Sequence, residues 1–438
     1  MSSVNTGEVT LEAILGAENL QRACKQVIRN KGSAGIDGMK VNALRIYRKV
    51  YPHEVAKAIL DGSYQPQPIR RVYIPKDNGE RRPLGIPTVM DRFVQQAAAQ
   101  VLSNYYEKEF SDNSFGFRPK RCCRDAVKRA TEYLNSGYVW VIDLDLAKFF
   151  DTVNHSKLLQ VLSNRIKDGR VISLIHKFLR APVCENGIVG PKTMIGTPQG
   201  GCISPVLANI LLNELDQYLD KLKTNFVRYA DDMCVFCGSK KAAERKLRHI
   251  KRFIEKKLFL KVNETKTKIV KAGPQVQFLG FSFTIRVGKK RRRKHPKRKW
   301  FPTVHQKKRS KMREALKILL DRKAPKGIKA TKVSLERKVR GRCNYCKGCI
   351  PTSWMKAVDG WMRRRIRQIY WKQWKTKSRR FREIKKLWPN APPLEEYAYS
   401  SNSYWRMSKT PQIHKAMSVN ALFEAGWVWL SLFEVCGI

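Results

Sequence analysis

The sequence predicts an α+β protein: an antiparallel sheet backed by helices, followed by a helical region. Three observations carry this. Between residues 139 and 281 the pattern runs strand, helix, helix, strand hairpin, helix, strand, an order that suits antiparallel pairing and not a doubly wound parallel sheet. Beyond residue 311 helical apolar spacing takes over. Between the two lies a charge run, Arg286 to Arg313, with fifteen Lys or Arg residues and no acid.

Composition narrows the partner. A chain of 438 residues can hold two or three domains with their own cores. Lys and Arg number 88 against 36 Asp and Glu, a net charge of +52 spread along the whole length. Such a balance calls for a polyanion, nucleic acid before an anionic membrane surface. No apolar run is long enough to span a bilayer. The first ten residues are polar and include Glu8, unlike a secretory signal. Eleven scattered cysteines, an odd number without a framework, fit free thiols in a reducing cytoplasm.

Each element has its own signal. Residues 11–30 have helical spacing, and a glycine-rich turn follows from Gly32 to Gly38. Residues 64–76 are extended and broken by proline. The turn Asp77-Asn78-Gly79 then returns the chain through 81–86 as a hairpin. A helix over 91–108 places Phe93, Ala97, Val101 and Tyr105 on one face. Residues 139–146 alternate. Trp140, Ile142, Leu144 and Leu146 share one face; Val141, Asp143 and Asp145 share the other. After a turn at Gly196 to Gly201, Ser204 as N-cap and Pro205 in the first turn start a helix. It is expected to bury Leu207, Leu211, Leu215, Leu219 and Leu222. Ser239 caps a second helix, with Leu247, Ile250, Ile254 and Leu258 inward. Phe278 to Phe281 reads as a short strand. The charge run reads as a mobile arm, because like charges this dense order only on a polyanion. Farther on, aromatics interleave with basic residues from Trp361 to Arg365 and from Tyr370 to Lys375. The basic groups suit phosphates; the rings either stack on bases or fill a helical core.

The chemistry centres on Phe226 to Phe236, where two apolar runs meet at Asp231-Asp232. Aromatic and β-branched neighbours favour a strand hairpin with the acids at its tip. Adjacent carboxylates repel unless cations lie between them, and hard oxygen ligands select Mg²⁺ over zinc. An isolated Asp-Asp pair is ordinarily a solvated turn. A third acid, Asp145, on a neighbouring strand would complete a set able to hold two ions about 3.5–4 Å apart. Such a site performs phosphoryl transfer by positioning and charge stabilisation, and no nucleophilic triad is evident in the chain.

Tyr229-Ala230-Asp231-Asp232 together with Asp145 to Asp151 resembles the catalytic pair of reverse transcriptase motifs. A fuller set resembles the group II intron-encoded reverse transcriptase/maturase family. It comprises Asn30 to Gly38, Ile74-Pro75-Lys76, Leu84 to Pro87, Asp91-Arg92, Ser114 to Pro119, Gly196 to Gly201, Ser204-Pro205 with Asn209, and Phe278 to Phe281. Arg340-Gly341 with Asn344-Tyr345 is similar to the maturase signature. The matches cover residues 15–438 in family order, and the order makes them specific.

The resemblance implies a right-hand polymerase: N-terminal extension and fingers over 1–135, palm over 136–284, basic linker over 285–310, and helical thumb/maturase domain over 311–438. It implies an RNA-directed DNA polymerase that also binds its group II intron RNA to promote splicing and mobility. Its partners would be intron RNA, an RNA template, a DNA primer or target, and dNTPs, with no membrane; the sequence does not choose between monomer and dimer. Asp145, Asp231 and Asp232 would hold two Mg²⁺ ions, with Mn²⁺ as a substitute. Lys76 and Arg82 would hold the triphosphate and Gln199 would line the nucleotide pocket. Phe150 would gate against a ribose 2′-hydroxyl, with Phe149 as the alternative. Lys268 or Lys266 would protonate pyrophosphate. Nucleic-acid contacts fall to Arg118, Gly280, Arg340, Asn344 and Tyr345, with Arg363 and Arg364 from the basic–aromatic stretch. Cys346 departs from the family's usual aromatic. Cys343, Cys346 and Cys349 have a zinc-like spacing without a fourth ligand, and helix packing is the better reading. The chain resembles compact bacterial members without an endonuclease, so target cleavage is not expected. Two rivals remain: a maturase with an idle polymerase site, and a domesticated reverse transcriptase in repair or phage defence.

Overall fold

The computed structural model describes residues 8–75, 79–286, 299–389 and 395–434. The chain divides into two compact units, Met1–Ala272 and Gly273–Ile438.

The first unit is built on a four-stranded antiparallel sheet. Its spatial order is Asn225–Tyr229, Asp232–Cys237, Trp140–Leu144, Lys268–Lys271. Helices Val89–Tyr106, Ser204–Lys221 and Lys240–Lys257 join the core behind it, among Phe93, Leu102, Leu207, Leu211, Leu215, Ile250 and Ile254. This is the helix-backed antiparallel arrangement read from the sequence. Ser239 caps its helix as expected, accepting from the Ala242 N–H.

Local details differ. The helix over 11–30 is two helices, Leu11–Leu15 and Ala17–Arg29, because Gly16 takes an extended ψ of 136°. Ile203 stands at the N-cap of the next core helix. Ser204 lies in the first turn and donates to the Pro198 carbonyl at 2.8 Å. Leu222 is 52% exposed, because the helix ends at Lys221. Val141 is fully buried despite its place on the acid-bearing face. A helix beyond the expected set, Cys123–Asn135, covers that end of the sheet, with Tyr133 against Phe236, the cross-strand partner of Val141.

A second sheet pairs Ile69–Pro75 with Arg81–Ile86 in antiparallel register, as the hairpin signal predicted. Val183–Glu185 joins its other edge through a short parallel contact, and Ile188–Val189 forms the outer edge. The turn residues 76–78, including Lys76, lie outside the described residues.

The second unit opens with a tight turn. Phe278 and Phe281 exchange both backbone hydrogen bonds around Leu279 and Gly280, which have φ of 52° and 80°. Two left-handed residues define a hairpin turn of the primed type, which glycine favours. The short strand expected at 278–281 is therefore a turn leading into the strand Phe281–Arg286. Lys299–Val304 pairs antiparallel with that strand. Of the basic stretch, Lys299–Val304 is a strand and Gln306–Leu319 a helix; residues 287–298, where the charge is densest and the arm was expected, lie outside the described residues. The remainder is helical, chiefly Gly327–Tyr345, Thr352–Gln373 and Lys377–Leu387. Trp371, Trp374, Trp427 and Trp429 are buried in its core, so these rings serve packing and not base stacking.

Candidate active site

The site begins with strand register. Trp140–Leu144 pairs with Asp232–Cys237 so that Leu144 faces Met233 and Asp143 faces Cys234. One further step sets Asp145 across from Asp232, where paired Cα atoms lie about 5 Å apart. Tyr229 pairs with Asp232, which leaves Ala230 and Asp231 as a two-residue turn. The chain order of three acids thereby becomes one cluster at the open end of the sheet.

The tip is held under strain. Ala230 sits at φ 57°, a left-handed conformation that costs an L-residue about 1–2 kcal/mol. Two neighbours hold it there. Arg228 Nη1 donates to the Ala230 carbonyl at 3.0 Å. Gly116 packs so closely that a Cβ would stand 2.3 Å from the Ala230 nitrogen. Asn209 ties both together: its amide donates to Gly116 O at 2.7 Å, and its oxygen accepts from Arg228 at 2.9 Å. Arg228 is 1% exposed and also forks onto the fully buried Asp216, at 2.8 and 2.5 Å. The sequence reading missed Arg228 and Asp216. The available signal was an arginine inside an otherwise apolar strand.

Electrostatics mark the cluster as cation-seeking. Burial pushes Asp232 up to about 6, with Asp231, Asp145 and Asp143 adding repulsion and Lys266 opposing. The Asp232 side chain still reaches water, which screens part of that repulsion. Asp231 is raised, first by burial and then by Asp145, while Arg82 opposes. Asp145 Oδ2 is buried and accepts no hydrogen bond. Lys266 Nζ stands 3.3 Å from it, at ion-pair range but off the hydrogen-bonding direction. Lys268 lies instead 3.9 Å from Asp143, one pleat behind. Of the two lysines left open by the sequence, Lys266 is the one at the Asp145 carboxylate. A buried carboxylate oxygen without a hydrogen bond, beside mutually repelling acids, has the donor chemistry of a divalent-ion ligand. Among the described residues no group of three or more His, Cys, Asp or Glu side chains is arranged as a metal site, neither Asp145, Asp231 and Asp232 nor Cys343, Cys346 and Cys349.

A pocket of about 320 Å³ is lined by Arg71, Gly85, Lys148, Phe150, Thr197 and Gln199, among others. The Gly196–Gly201 turn forms one wall. It is stitched in place by Thr197 N–H to Phe150 O at 2.6 Å, Gly85 N–H to Gln199 O at 2.7 Å, and His155 Nε2 to Gly196 O at 2.6 Å. Phe150 faces the pocket, whereas Phe149 is 2% exposed and belongs to the core. Arg82 is exposed on its hairpin strand, within electrostatic reach of Asp231. Arg118 is a different case. It is 6% exposed and its guanidinium donates to Ser111 O, Ser114 O and Glu107. It braces the segment that carries Gly116 and has no free face for a strand.

Comparison with known proteins gives the family. The family described as "Reverse transcriptase (RNA-dependent DNA polymerase)" matches residues 74–283, and "Group II intron, maturase-specific domain" matches 309–388. Protein YkfC of Escherichia coli (strain K12) is 34% identical over 310 residues, covering 62% of this chain and 81% of the relative. The group II intron-encoded protein LtrA of Lactococcus lactis subsp. cremoris is 33% identical over 298 residues, covering 53% of this chain and 49% of LtrA. The putative COX1/OXI3 intron 2 protein of Saccharomyces cerevisiae is 30% identical over 321 residues, covering 60% and 36% respectively. The chain belongs to the group II intron reverse transcriptase/maturase family.

This chain spans about half the length of LtrA. Its reverse transcriptase domain has the fold of RNA-directed DNA polymerases and holds every acid of the cluster. Its maturase domain holds most of the residues expected to touch RNA. Asn344 is exposed, and Arg340 is exposed beside Glu336. Tyr345 is half-buried; its hydroxyl donates to Leu279 O at 2.8 Å and its ring stacks on Phe281. Arg363 and Arg364 are half-buried over Trp429 and Trp405, at 5.4 and 4.9 Å. Gly280, at its turn, faces Lys308. No helix among the described residues is long and apolar enough to cross a membrane.

Proposed function

We propose that this chain copies RNA into DNA at the Asp145–Asp231–Asp232 cluster and binds its own intron RNA through the maturase domain. The observation that carries the reading is the strand register that brings Asp145 across from Asp232, with Asp231 in the adjoining turn. Asp145, Asp231 and Asp232 would hold the divalent ions, Mg²⁺ by the hardness of their oxygens. Those ions, when bound, would make a primer 3′-hydroxyl a better nucleophile and shield the leaving pyrophosphate.

The protein's own groups have the remaining work. Phe150 closes the space a 2′-hydroxyl needs and so favours dNTPs. Gln199, set by its wall, borders the nucleotide. Arg82, on its hairpin strand, holds phosphate charge, and Lys76, outside the described residues, shares that role. Lys266 neutralises Asp145 before the ions arrive and is placed to give a proton to pyrophosphate. Residues 1–135 act as fingers and 136–284 as palm. The exposed lysines and arginines of the maturase domain bind intron RNA by charge, in the cytoplasm where that RNA is made.

Primer extension on an RNA template with Mg²⁺ tests the reading. Asp231→Ala and Asp145→Ala should abolish extension while RNA binding persists. Undiminished extension by Asp231→Ala would remove the site.

A further inference from the structure

We infer that Arg71, with Thr197 and Lys148, forms a phosphate-binding site on the pocket wall beside Phe150 and Gln199, distinct from the phosphate contact of Arg82. The inference rests on the polymerase reading above and adds residues that reading does not use.

Two buried polar groups without a hydrogen-bond partner belong to residues that line the same pocket. Arg71 Nε is buried and makes no hydrogen bond, and among the described residues no carboxylate pairs with this guanidinium. Thr197 is 4% exposed, and its hydroxyl is buried without a partner. Both line the pocket. An unsatisfied buried donor costs about 1–3 kcal/mol, so two on one wall are a standing penalty unless something enters to meet them. Lys148 adds a second positive charge on the same wall. The one acid there, Asp151, forms no ion pair with either cation among the described residues. A wall with two cations, one hydroxyl and an unmatched guanidinium fork fits the oxygens of a phosphate.

Strand parity separates this site from Arg82. Arg71 pairs with Gly85 and Arg82 pairs with Ile74. Paired residues share a face and adjacent ones alternate, so Arg71 and Arg82 project from opposite faces of the hairpin. They cannot close on one phosphate group from the same side. The phosphate at Arg71 is either part of a nucleotide polyphosphate lying across the pocket or a phosphodiester of the template strand.

The test is equilibrium titration of the full chain, by fluorescence, with inorganic pyrophosphate and with a labelled single-stranded RNA over a range of salt. The variants are Arg71→Gln, Arg71→Lys and Thr197→Val. Arg71→Gln should weaken one of the two ligands by about tenfold or more, and Arg71→Lys should recover part of the loss. A loss confined to pyrophosphate identifies the nucleotide as the source. A loss confined to RNA, with the salt slope reduced by about 0.7, identifies the template backbone. Thr197→Val should weaken the same ligand without lowering the melting temperature, since it removes an unpaired buried hydroxyl and keeps the shape. Unchanged affinity for both ligands in folded Arg71→Gln and Thr197→Val overturns the inference. These titrations need no turnover, so a failure of the polymerase reading, seen as extension by Asp231→Ala, is a separate result.

Discussion

Replacing Arg228 by methionine should damage stability and catalysis by separable routes. Arg228 and Asp216 are 1% and 0% exposed, and the guanidinium is the charge partner that offsets the burial penalty on Asp216. Arg228→Met strands a carboxylate in the core, which costs about 3–5 kcal/mol. Against a typical stability of about 5–15 kcal/mol the variant should fold but melt much earlier in urea. The double variant Arg228→Met/Asp216→Leu removes the stranded charge and should regain most of that loss, because apolar replacement of a whole buried pair is often near neutral. Recovery should be incomplete, since Ser114 Oγ and Asn209 Oδ1 also lose their donor, at 2.8 and 2.9 Å. Activity should not return with stability. The bond from Arg228 Nη1 to Ala230 O is absent in both variants, and with it the brace on the turn that carries Asp231. Urea denaturation and primer-extension kcat on the same preparations make the comparison. A single variant that loses less than about 1 kcal/mol, or a double variant that extends primers at the wild-type rate, would refute the reasoning.

Other outcomes follow from the same geometry. Gly116→Ala should lower kcat about a hundredfold, because the new methyl must push the Ala230 backbone away from 2.3 Å and misplace the acids. Melting and RNA binding of that variant should change far less. Phe150→Ala should raise incorporation of rNTPs relative to dNTPs by about 10–200-fold, whereas Phe149→Ala should chiefly lower the melting temperature; the reverse pattern would move the gate. Burial lowers the His155 pKa below its ordinary value, so the folded state holds the neutral ring that bonds Gly196 O. Its contribution is present above the unfolded value of about 6.5 and is lost as pH falls through the depressed folded one. His155→Gln should flatten that part of the pH–stability curve. RNA affinity should fall steeply with salt, since a net charge of +52 acts through many phosphate contacts; a flat log–log plot would contradict an electrostatic interface.

The sequence by itself determined the chemistry and the elements. Alternation over 139–146 and the aromatic, β-branched flanks of Asp231-Asp232 specify strands bearing acids, because side-chain direction in a strand has a period of two. Helical spacing specified the helices behind them, and the ordered motifs specified the family. Tertiary structure decided what local pattern does not encode. Register across distant strands set Asp145 opposite Asp232, and Lys266 rather than Lys268 against Asp145. Long-range packing buried Arg118 and Arg228 on carboxylates, and drew Trp371 and Trp374 inward. Backbone pairing drew Lys299–Val304, at the end of the basic stretch, into a strand against Phe281–Arg286. In each case one sequence pattern is compatible with both water and a partner. Which it meets depends on residues far along the chain that only folding brings near.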